Sequence, residues 1–315
     1  MNILENTRKK NLLGIKDLTE EEITLILRNT SEMKSKLRFR SDKAANIMGT
    51  RVTYLLSGVD LRSKLYFETA AKSLMGTIST IALPVNECSE NMNDIVLQIS
   101  GTGADILIIS HYRSGIAEMI AHKTDISIIN AGDGMNENPT QALAGIFTVM
   151  ENKGYIDGLK IAIVGNVAEN ATAKSYIYGF TRLGAKIAVG GPSAVALAPF
   201  EKLGVCVCGS VQETLFDADV VISAFPENGR GDLCFPNERE YARFFSIDEK
   251  RMLFAKAGAI ILGSGYMKRG INISSEAVDS QYSLIDAQSE NSIALDMALL
   301  YLLSSKGGEK YENID

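Results

Sequence analysis

Three polar side chains gathered around one proline are the first candidates for chemistry: Asn138, Thr140 and Gln141, in the run Asn138-Pro139-Thr140-Gln141. Amides and hydroxyls of this kind are neutral donors and acceptors, and none of them can become cationic. The local pattern says where they stand. Ile126-Ser127-Ile128-Ile129 is a short β-branched run that reads as a buried strand. Asn130–Asn138 is rich in Gly, Asp and Asn, the residues of a loop. Pro139 suits the first position of a helix, and Asn138 before it is a good N-cap. The helix continues through Leu143, Ile146, Phe147 and Met150 at i, i+3, i+4, i+7 spacing. A loop that leaves a parallel strand and opens a helix is where open α/β sheets place their ligands. Asn138 can be a cap, a site residue, or both. Arg230 stands in a glycine-containing loop, where an arginine is ordinarily solvated.

The elements that must position these residues alternate along the chain. Thr19-Glu20-Glu21-Glu22 is a capping box, with Leu18 and Ile23 as a hydrophobic staple, so a helix starts near Glu20. Val52–Leu56, Thr77–Leu83, Ile106–Ile109 and Ile126–Ile129 read as four buried strands, with helices around Lys64–Leu74, Asn91–Thr102 and Gly115–Ala121. A second alternating set begins at Lys160–Gly165. It continues through Lys186–Val189, Val205–Val207, Val220–Ser223 and Ala259–Leu262, and an amphipathic helix follows at Ser292–Leu303. Gly154–Gly158 is the linker. The fold class is therefore α/β, with two doubly wound parallel-sheet domains.

A chain of 315 residues can bury two large cores without disulfides or metals, and 46% hydrophobic with 22% charged residues describes an ordinary globular protein. A net charge of −6 argues against nucleic acid as a partner. The basic cluster Lys34, Lys36, Arg38, Arg40 and Lys43 reads as a solvated face. No apolar run is long enough to span a membrane, and Met1–Lys16 is too polar for a signal peptide, so a cytoplasmic protein without membrane contact is expected. The four cysteines lack metal-site spacing, and two histidines cannot supply a His-rich site, so no metal and no cofactor is expected. Cys206-Val207-Cys208 alternates like a strand, which turns both sulfurs to one face, and reduced thiols are the default reading. Lys306–Asp315 is a polar tail expected to fray.

The second set of elements opens with strand, Gly165-Asn166-Val167-Ala168-Glu169-Asn170, then helix, which invites a dinucleotide reading. That fold needs three spaced glycines, and only Gly165 is present. The acidic residue that would hold a ribose is also missing after the next strand.

Gly132-Asp133-Gly134, a short gap, and Pro139-Thr140-Gln141 with the helix after them resemble a segment of the aspartate and ornithine carbamoyltransferases, in which the position of Asn138 is histidine. Asp60-Leu61-Arg62-Ser63-Lys64-Leu65-Tyr66-Phe67-Glu68 is similar to that family's phosphate-holding turn at a helix N-terminus. The resemblance implies two domains, a carbamoyl-phosphate type at 1–150 joined by the C-terminal helix 291–315, and an amino-acid-binding type at 151–290, assembled as a homotrimer. It implies Arg62, Asn138 and Gln141 as catalytic residues. Asp60, Ser63, Lys64, His111, Thr140 and Arg230 are implied as substrate-binding residues. In this scheme Arg62, Ser63 and the turn backbone stabilise the leaving anion, Asn138 and Thr140 polarise the carbonyl, and Gln141 orients the donor amide. Arg230 binds the carboxylate of a small amino acid.

Several positions depart from the family pattern. Asp60 and Leu61 replace hydroxyl residues, Cys88-Ser89-Glu90-Asn91 lacks a lysine, and Ser110-His111 replaces an Arg-His pair. Ala171-Thr172 stands at an arginine position, Phe225 at another, and Gly263-Ser264-Gly265-Tyr266 replaces a His-Pro-Leu-Pro turn. A carboxylate at Asp60 would either oppose a bound phosphate or pair with Arg62 or Lys64. The expected function is a divergent carbamoyltransferase-family transferase, moving a carbamoyl or related acyl group to the amine of a small amino acid, without efficient aspartate or ornithine carbamoyltransferase activity. A catalytically silent paralogue that binds a ligand or partner, and an enzyme of this fold with a non-phosphate donor, stand as alternatives.

Overall fold

A computed structural model describes residues 11–39, 46–58, 60–84, 91–192, 194–226 and 237–304. The chain divides into two compact units, one running through Thr140 and rejoined from Asn291, the other Gln141–Glu290. The division falls two residues into a helix, at the end of the Asn138–Gln141 run.

The first unit contains α1 (Glu20–Phe39), β1 (Arg51–Ser57), α2 (Leu61–Ser73), β2 (Thr77–Leu83), α3 (Met92–Gly101), β3 (Ile106–His111), α4 (Ile116–Ala121), β4 (Ser127–Asp133) and the start of α5 (Pro139–Lys153). Its strands are all parallel in the order β2-β1-β3-β4. Leu55, Leu107, Ile109 and Ile128 project to one face, where α3 and α4 cover them with Ile95, Val96, Ile99, Ile116 and Ile120. Tyr54, on the opposite face, has its ring 5.9 Å from that of Phe67 on α2. Helices thus lie on both faces, as the near-continuous apolar runs of β1 and β3 require.

The expected capping box is present: Glu22 Oε2 accepts from Thr19 N at 2.8 Å, and Thr19 Oγ1 accepts from Glu22 N at 3.2 Å. Leu18 and Ile23 are both buried beside it. The reading of Thr77–Leu83 as a buried strand is corrected. β2 is an edge strand whose residues are exposed or only half-buried, because it has a partner on one side alone. Of the basic cluster, Arg38 is exposed and Lys34 and Lys36 half-buried on α1, while Arg40 and Lys43 lie outside the described residues.

The second unit holds the rest of α5, then β5 (Lys160–Gly165), α6 (Ala171–Arg182), β6 (Lys186–Gly190), α7 (Ala194–Leu197), β7 (Cys206–Val207), α8 (Val211–Leu215), β8 (Val220–Ala224), α9 (Glu238–Phe245), α10 (Glu249–Met252), β9 (Ile260–Gly263) and α11 (Ser275–Val278). Its parallel sheet has the order β7-β6-β5-β8-β9. Ala162, Val164, Val221 and Ile261 pack against Val211 and Leu215 of α8 and Ala277 of α11. The closing helix α12 (Ile285–Leu303) starts seven residues before its expected N-terminus, and its residues from Asn291 cluster with the first unit. The tail expected to fray, Lys306–Asp315, lies outside the described residues. Among the described residues no helix is long and apolar enough to cross a membrane.

Candidate functional site

In the first unit the sheet order reverses at β1: the chain steps from β1 to β2 on one side and to β3 on the other. Ligands of open α/β sheets bind beyond the strand C-termini at such a point. Asp60, Arg62, Ser63 and Lys64 follow β1, His111 ends β3, and Asn138 and Thr140 follow β4, so the structure brings these seven predicted residues to one edge of one sheet.

Asp60 is the N-cap of α2, and its Oδ1 accepts from Ser63 N at 3.1 Å. Its carboxylate is therefore committed to the helix start, rather than being held by Lys64, which lies 3.6 Å from Glu68. Burial raises the Asp60 carboxyl above the usual carboxylate range, while the Ser63 N–H and the Arg62 guanidinium work the other way. Arg62 is exposed and Ser63 half-buried. Tyr54 Oη donates to Ser63 Oγ at 3.0 Å, fixing a hydroxyl at the first turn of α2, where unpaired N–H groups and the helix dipole favour anions. Below it, Asp296 of α12 is fully buried and its carboxyl is raised well above the ordinary value, by burial first and by the charge of Asp60 second. Arg62 favours the ionised form of Asp60, and the carboxyl of Asp296 carries the larger rise. Nothing in the local sequence marks Tyr54 or Asp296: each occupies an ordinary apolar-period position of a strand or helix.

His111 is buried, stacks on Tyr112 with ring centroids 4.7 Å apart, and accepts from Arg113 N at Nδ1, 3.0 Å. Burial, and then the nearby Arg113 charge, lowers its pKa. With Nδ1 an acceptor the ring is neutral and carries its proton on Nε2. Ser57 pairs with His111 in register, and its buried hydroxyl has no hydrogen-bond partner among the described residues.

The Gly132-Asp133-Gly134 turn is held from within. Asn130 Nδ2 donates to Asp133 Oδ1 at 2.9 Å and to Leu13 O at 2.8 Å, and Asp133 Oδ2 accepts from Gly115 N at 2.8 Å. Gly134, at φ +58, sends its N–H to His111 O at 2.8 Å; an added Cβ would stand 2.6 Å from Ser114 N. The β4 and β3 loops are thereby joined. Glu137, also buried, accepts from Ile15 N at 2.8 Å and ties the N-terminal segment to the same loop. Asn138 is buried, and Thr140 Oγ1 donates to its Oδ1 at 3.2 Å, which fixes the orientation of the amide.

In the second unit, Gln141 is held by its own neighbours. Thr172 Oγ1 donates to Gln141 Oε1 at 3.0 Å, and Gly265 approaches so closely that a Cβ there would lie 3.0 Å from the same oxygen. The loops after β5, β8 and β9 are gathered by Asn170, which is fully buried and donates through Nδ2 to Phe225 O at 2.7 Å and Ser264 O at 3.2 Å. Gly165 is needed for packing: at φ +121 its Cβ position is 2.0 Å from Ala224 O. Close approach of β5 and β8 accounts for that glycine without a dinucleotide. Phe225 is buried against Tyr241 at 5.4 Å and Tyr266 at 6.1 Å, as part of an aromatic cluster. Arg230 and Cys88 lie outside the described residues. Asn170 carries no signal in the local sequence, because its role depends on loops distant along the chain.

Two family models cover almost the whole chain: the aspartate/ornithine carbamoyltransferase carbamoyl-P binding domain at residues 10–151 and the Asp/Orn binding domain at residues 157–303. An aspartate carbamoyltransferase catalytic subunit from Acetivibrio thermocellus is 42% identical, over 95% of this chain and 97% of its own length. The subunit of that name from Pelotomaculum thermopropionicum is 41% identical over 96% and 98%. Among solved structures, the catalytic subunit of M. jannaschii aspartate transcarbamoylase matches with a TM-score of 0.78 at 27% identity, covering 93% of this chain and 97% of that one. Ornithine carbamoyltransferase from Pyrococcus furiosus shares the fold, with a TM-score of 0.81 at 23% identity over 93% and 96%.

These relatives overturn the expectation of a divergent transferase short of aspartate carbamoyltransferase activity: identity near 40% runs almost end to end with proteins that carry that name. The expectation treated each altered residue as a separate lost contact with substrate. Asp60, the strongest argument for it, instead caps a helix. Motifs, fold and full-length relatives agree, and the chain belongs to the aspartate/ornithine carbamoyltransferase family of transferases.

Proposed function

We propose that this chain is the catalytic polypeptide of an aspartate carbamoyltransferase. The carrying observation is the 42% identity, over 95% of the chain, to a catalytic subunit of that name. In the reaction the α-amine of aspartate attacks the carbonyl carbon of carbamoyl phosphate. A C–N bond forms, the C–O bond to phosphate breaks, the amine loses a proton, and carbamoyl-aspartate and inorganic phosphate leave.

The division of labour follows from the two units. The 1–150 domain, with α12 from Asn291, receives carbamoyl phosphate. Arg62, Ser63 and Lys64 at the head of α2 bind the phosphoryl oxygens, and Asp60 holds the turn that presents them. The amide of Asn138, the hydroxyl of Thr140 and the Nε2–H of neutral His111 are donors suited to the carbonyl oxygen, where negative charge develops. The 151–290 domain receives the amino acid, with Arg230 on a carboxylate. Gln141, steadied by Thr172, orients the donor amide. The reaction so drawn requires no cofactor. We assign the assembly as a homotrimer, on the family resemblance, and the compartment as the cytoplasm, where thiols are reduced by default.

The test is direct: purified chain, carbamoyl phosphate and aspartate, with carbamoyl-aspartate read by chromatography and ornithine as the control acceptor. Carbamoyl-aspartate at turnover rates on the order of 1 per second or above, abolished in Arg62→Ala, is expected. Product no higher than in Arg62→Ala would overturn the assignment. Light scattering that gave a stable monomer at micromolar concentration would remove the trimer.

A further inference from the structure

Cys206 opens β7, the short edge strand of the second sheet, and Cys208 follows the strand directly, with Val207 between them. Alternation along the strand turns both side chains to one face, and the sulfurs are 3.9 Å apart. Cys206 is exposed and Cys208 buried. Both line a cavity of about 630 Å³, together with Lys160, Lys186, Phe216 and Phe254. Neither thiol has a part in the carbamoyl-transfer chemistry.

We propose that Cys206 and Cys208 form a dithiol modification site that closes to an intrachain disulfide by exchange with a small-molecule disulfide of the oxidised-glutathione type. The geometry permits it. Alternate residues of a strand have Cα atoms about 6.6 Å apart, inside the range of about 4.4–6.8 Å that a disulfide bridges. The sulfurs must close from 3.9 Å to a bond of about 2 Å. Rotation of the two side chains supplies most of this, with a small contraction of the strand. β7 can contract because it is paired on one side only, through Ala188↔Cys206 and Val189↔Val207. A bridge at the long end of the range is strained, and strained disulfides are oxidising and easily reduced.

The exchange balances in two steps. The Cys206 thiolate attacks one sulfur of oxidised glutathione, forming a mixed disulfide and releasing one glutathione thiolate. Cys208 then gives its proton to solvent and attacks the Cys206 sulfur, forming the intrachain bond and releasing the second glutathione. Two protein thiols are oxidised and one glutathione disulfide is reduced. The order is set by access and charge. Cys208 is pushed up to about 11, by burial first and then by neighbouring Cys206 and by Glu213, with Thr214 partly opposing. In the mixed disulfide Cys206 carries no charge, so that part of the opposition disappears.

The experiment uses the full chain at pH 8 with oxidised glutathione. Remaining thiols are blocked with N-ethylmaleimide, and the peptide carrying both cysteines is mapped by mass spectrometry without reduction. The wild-type peptide should be two hydrogens lighter, unblocked at both cysteines, and restored by dithiothreitol. Cys208→Ser should accumulate a stable glutathione adduct on Cys206. Cys206→Ser should react at Cys208 at least about tenfold more slowly, since the remaining thiol is buried and burial is the first cause that disfavours its thiolate. A wild-type protein that keeps a glutathione adduct on Cys206 while Cys208 takes up the blocking reagent would overturn the proposal. Free thiols at both positions while Cys88 and Cys234 react would do the same.

Discussion

Replacing Asp296 with Asn should stabilise the protein, and by an amount that grows with pH. Asp296 is fully buried in α12, and burial, with the charge of Asp60 second, raises its carboxyl well above the ordinary value. An unfolded chain releases this proton near pH 3.9, whereas the folded protein keeps it to a higher pH. Between those two values the folded state binds one proton more than the unfolded state, so stability falls as pH rises, by up to about 1.4 kcal/mol per unit. Asparagine has nearly the same shape and no proton to lose. The advantage of Asp296→Asn should therefore be near zero at pH 4, climb at that slope, and level off once the wild-type carboxyl ionises in the folded protein. At roughly 2–4 °C per kcal/mol for a domain of this size, the difference in melting temperature should widen by about 3–6 °C per pH unit across the window. Melting curves of both proteins from pH 4 to 8 measure it directly. A companion series in an Asp60→Asn background, which keeps the N-cap on Ser63 but removes the charge, should level off at lower pH. A difference independent of pH, or one that widens further in the Asp60→Asn background, would refute the reasoning.

Three further outcomes are expected. Gly145→Ala would set a Cβ 1.8 Å from the hydroxyl of Tyr176, which accepts from Gln288 Nε2 at 2.8 Å; the overpacking should cost about 1–3 kcal/mol in urea unfolding, and wild-type stability would contradict the packing. Glu137→Ala removes the acceptor of Ile15 N at 2.8 Å and of Lys16 N at 3.4 Å. An unsatisfied buried donor costs about 1–3 kcal/mol, and amide exchange at Ile15 should accelerate while α6 stays protected. Tyr54→Phe loses the donor to Ser63 Oγ; a hydrogen bond of about 0.5–1.5 kcal/mol predicts a rise of roughly two- to twelvefold in KM for carbamoyl phosphate with kcat within about twofold. An unchanged KM would detach Tyr54 from donor binding.

Much of the candidate site was legible because its signals are local. The cap-proline pattern at Asn138-Pro139 located the start of α5 to the residue. The turn after the first strand resembles a family motif at a helix N-terminus, and α2 begins at Leu61, three residues before the expected Lys64, with Asp60 as its N-cap. What Asp60 does there was misjudged, because a carboxylate is read differently as a charge facing a ligand and as a helix cap, and only its contact with Ser63 N decides. The functional conclusion failed for a related reason. A family position holding a different residue counts as a loss only if nothing else supplies the contact, and a single chain without its relatives does not say whether anything does.

The alternation of strands and helices, the two sheets and the α/β class were determined by the sequence itself, since periods of 2 and 3.6 are written into consecutive residues and survive any tertiary arrangement. The strand orders β2-β1-β3-β4 and β7-β6-β5-β8-β9 were decided only in three dimensions, and with them the exposure of β2, whose Thr77–Leu83 run looks as apolar as its buried neighbours. The same holds for the contacts that shape the loops. Glu137 meets Ile15 across 122 residues of chain, and Asn170 meets Phe225 and Ser264 across 55 and 94. A hydrogen bond between residues so far apart imposes no spacing on either local sequence. Such partners become neighbours only when the parallel sheet carries the ends of several strands to one edge.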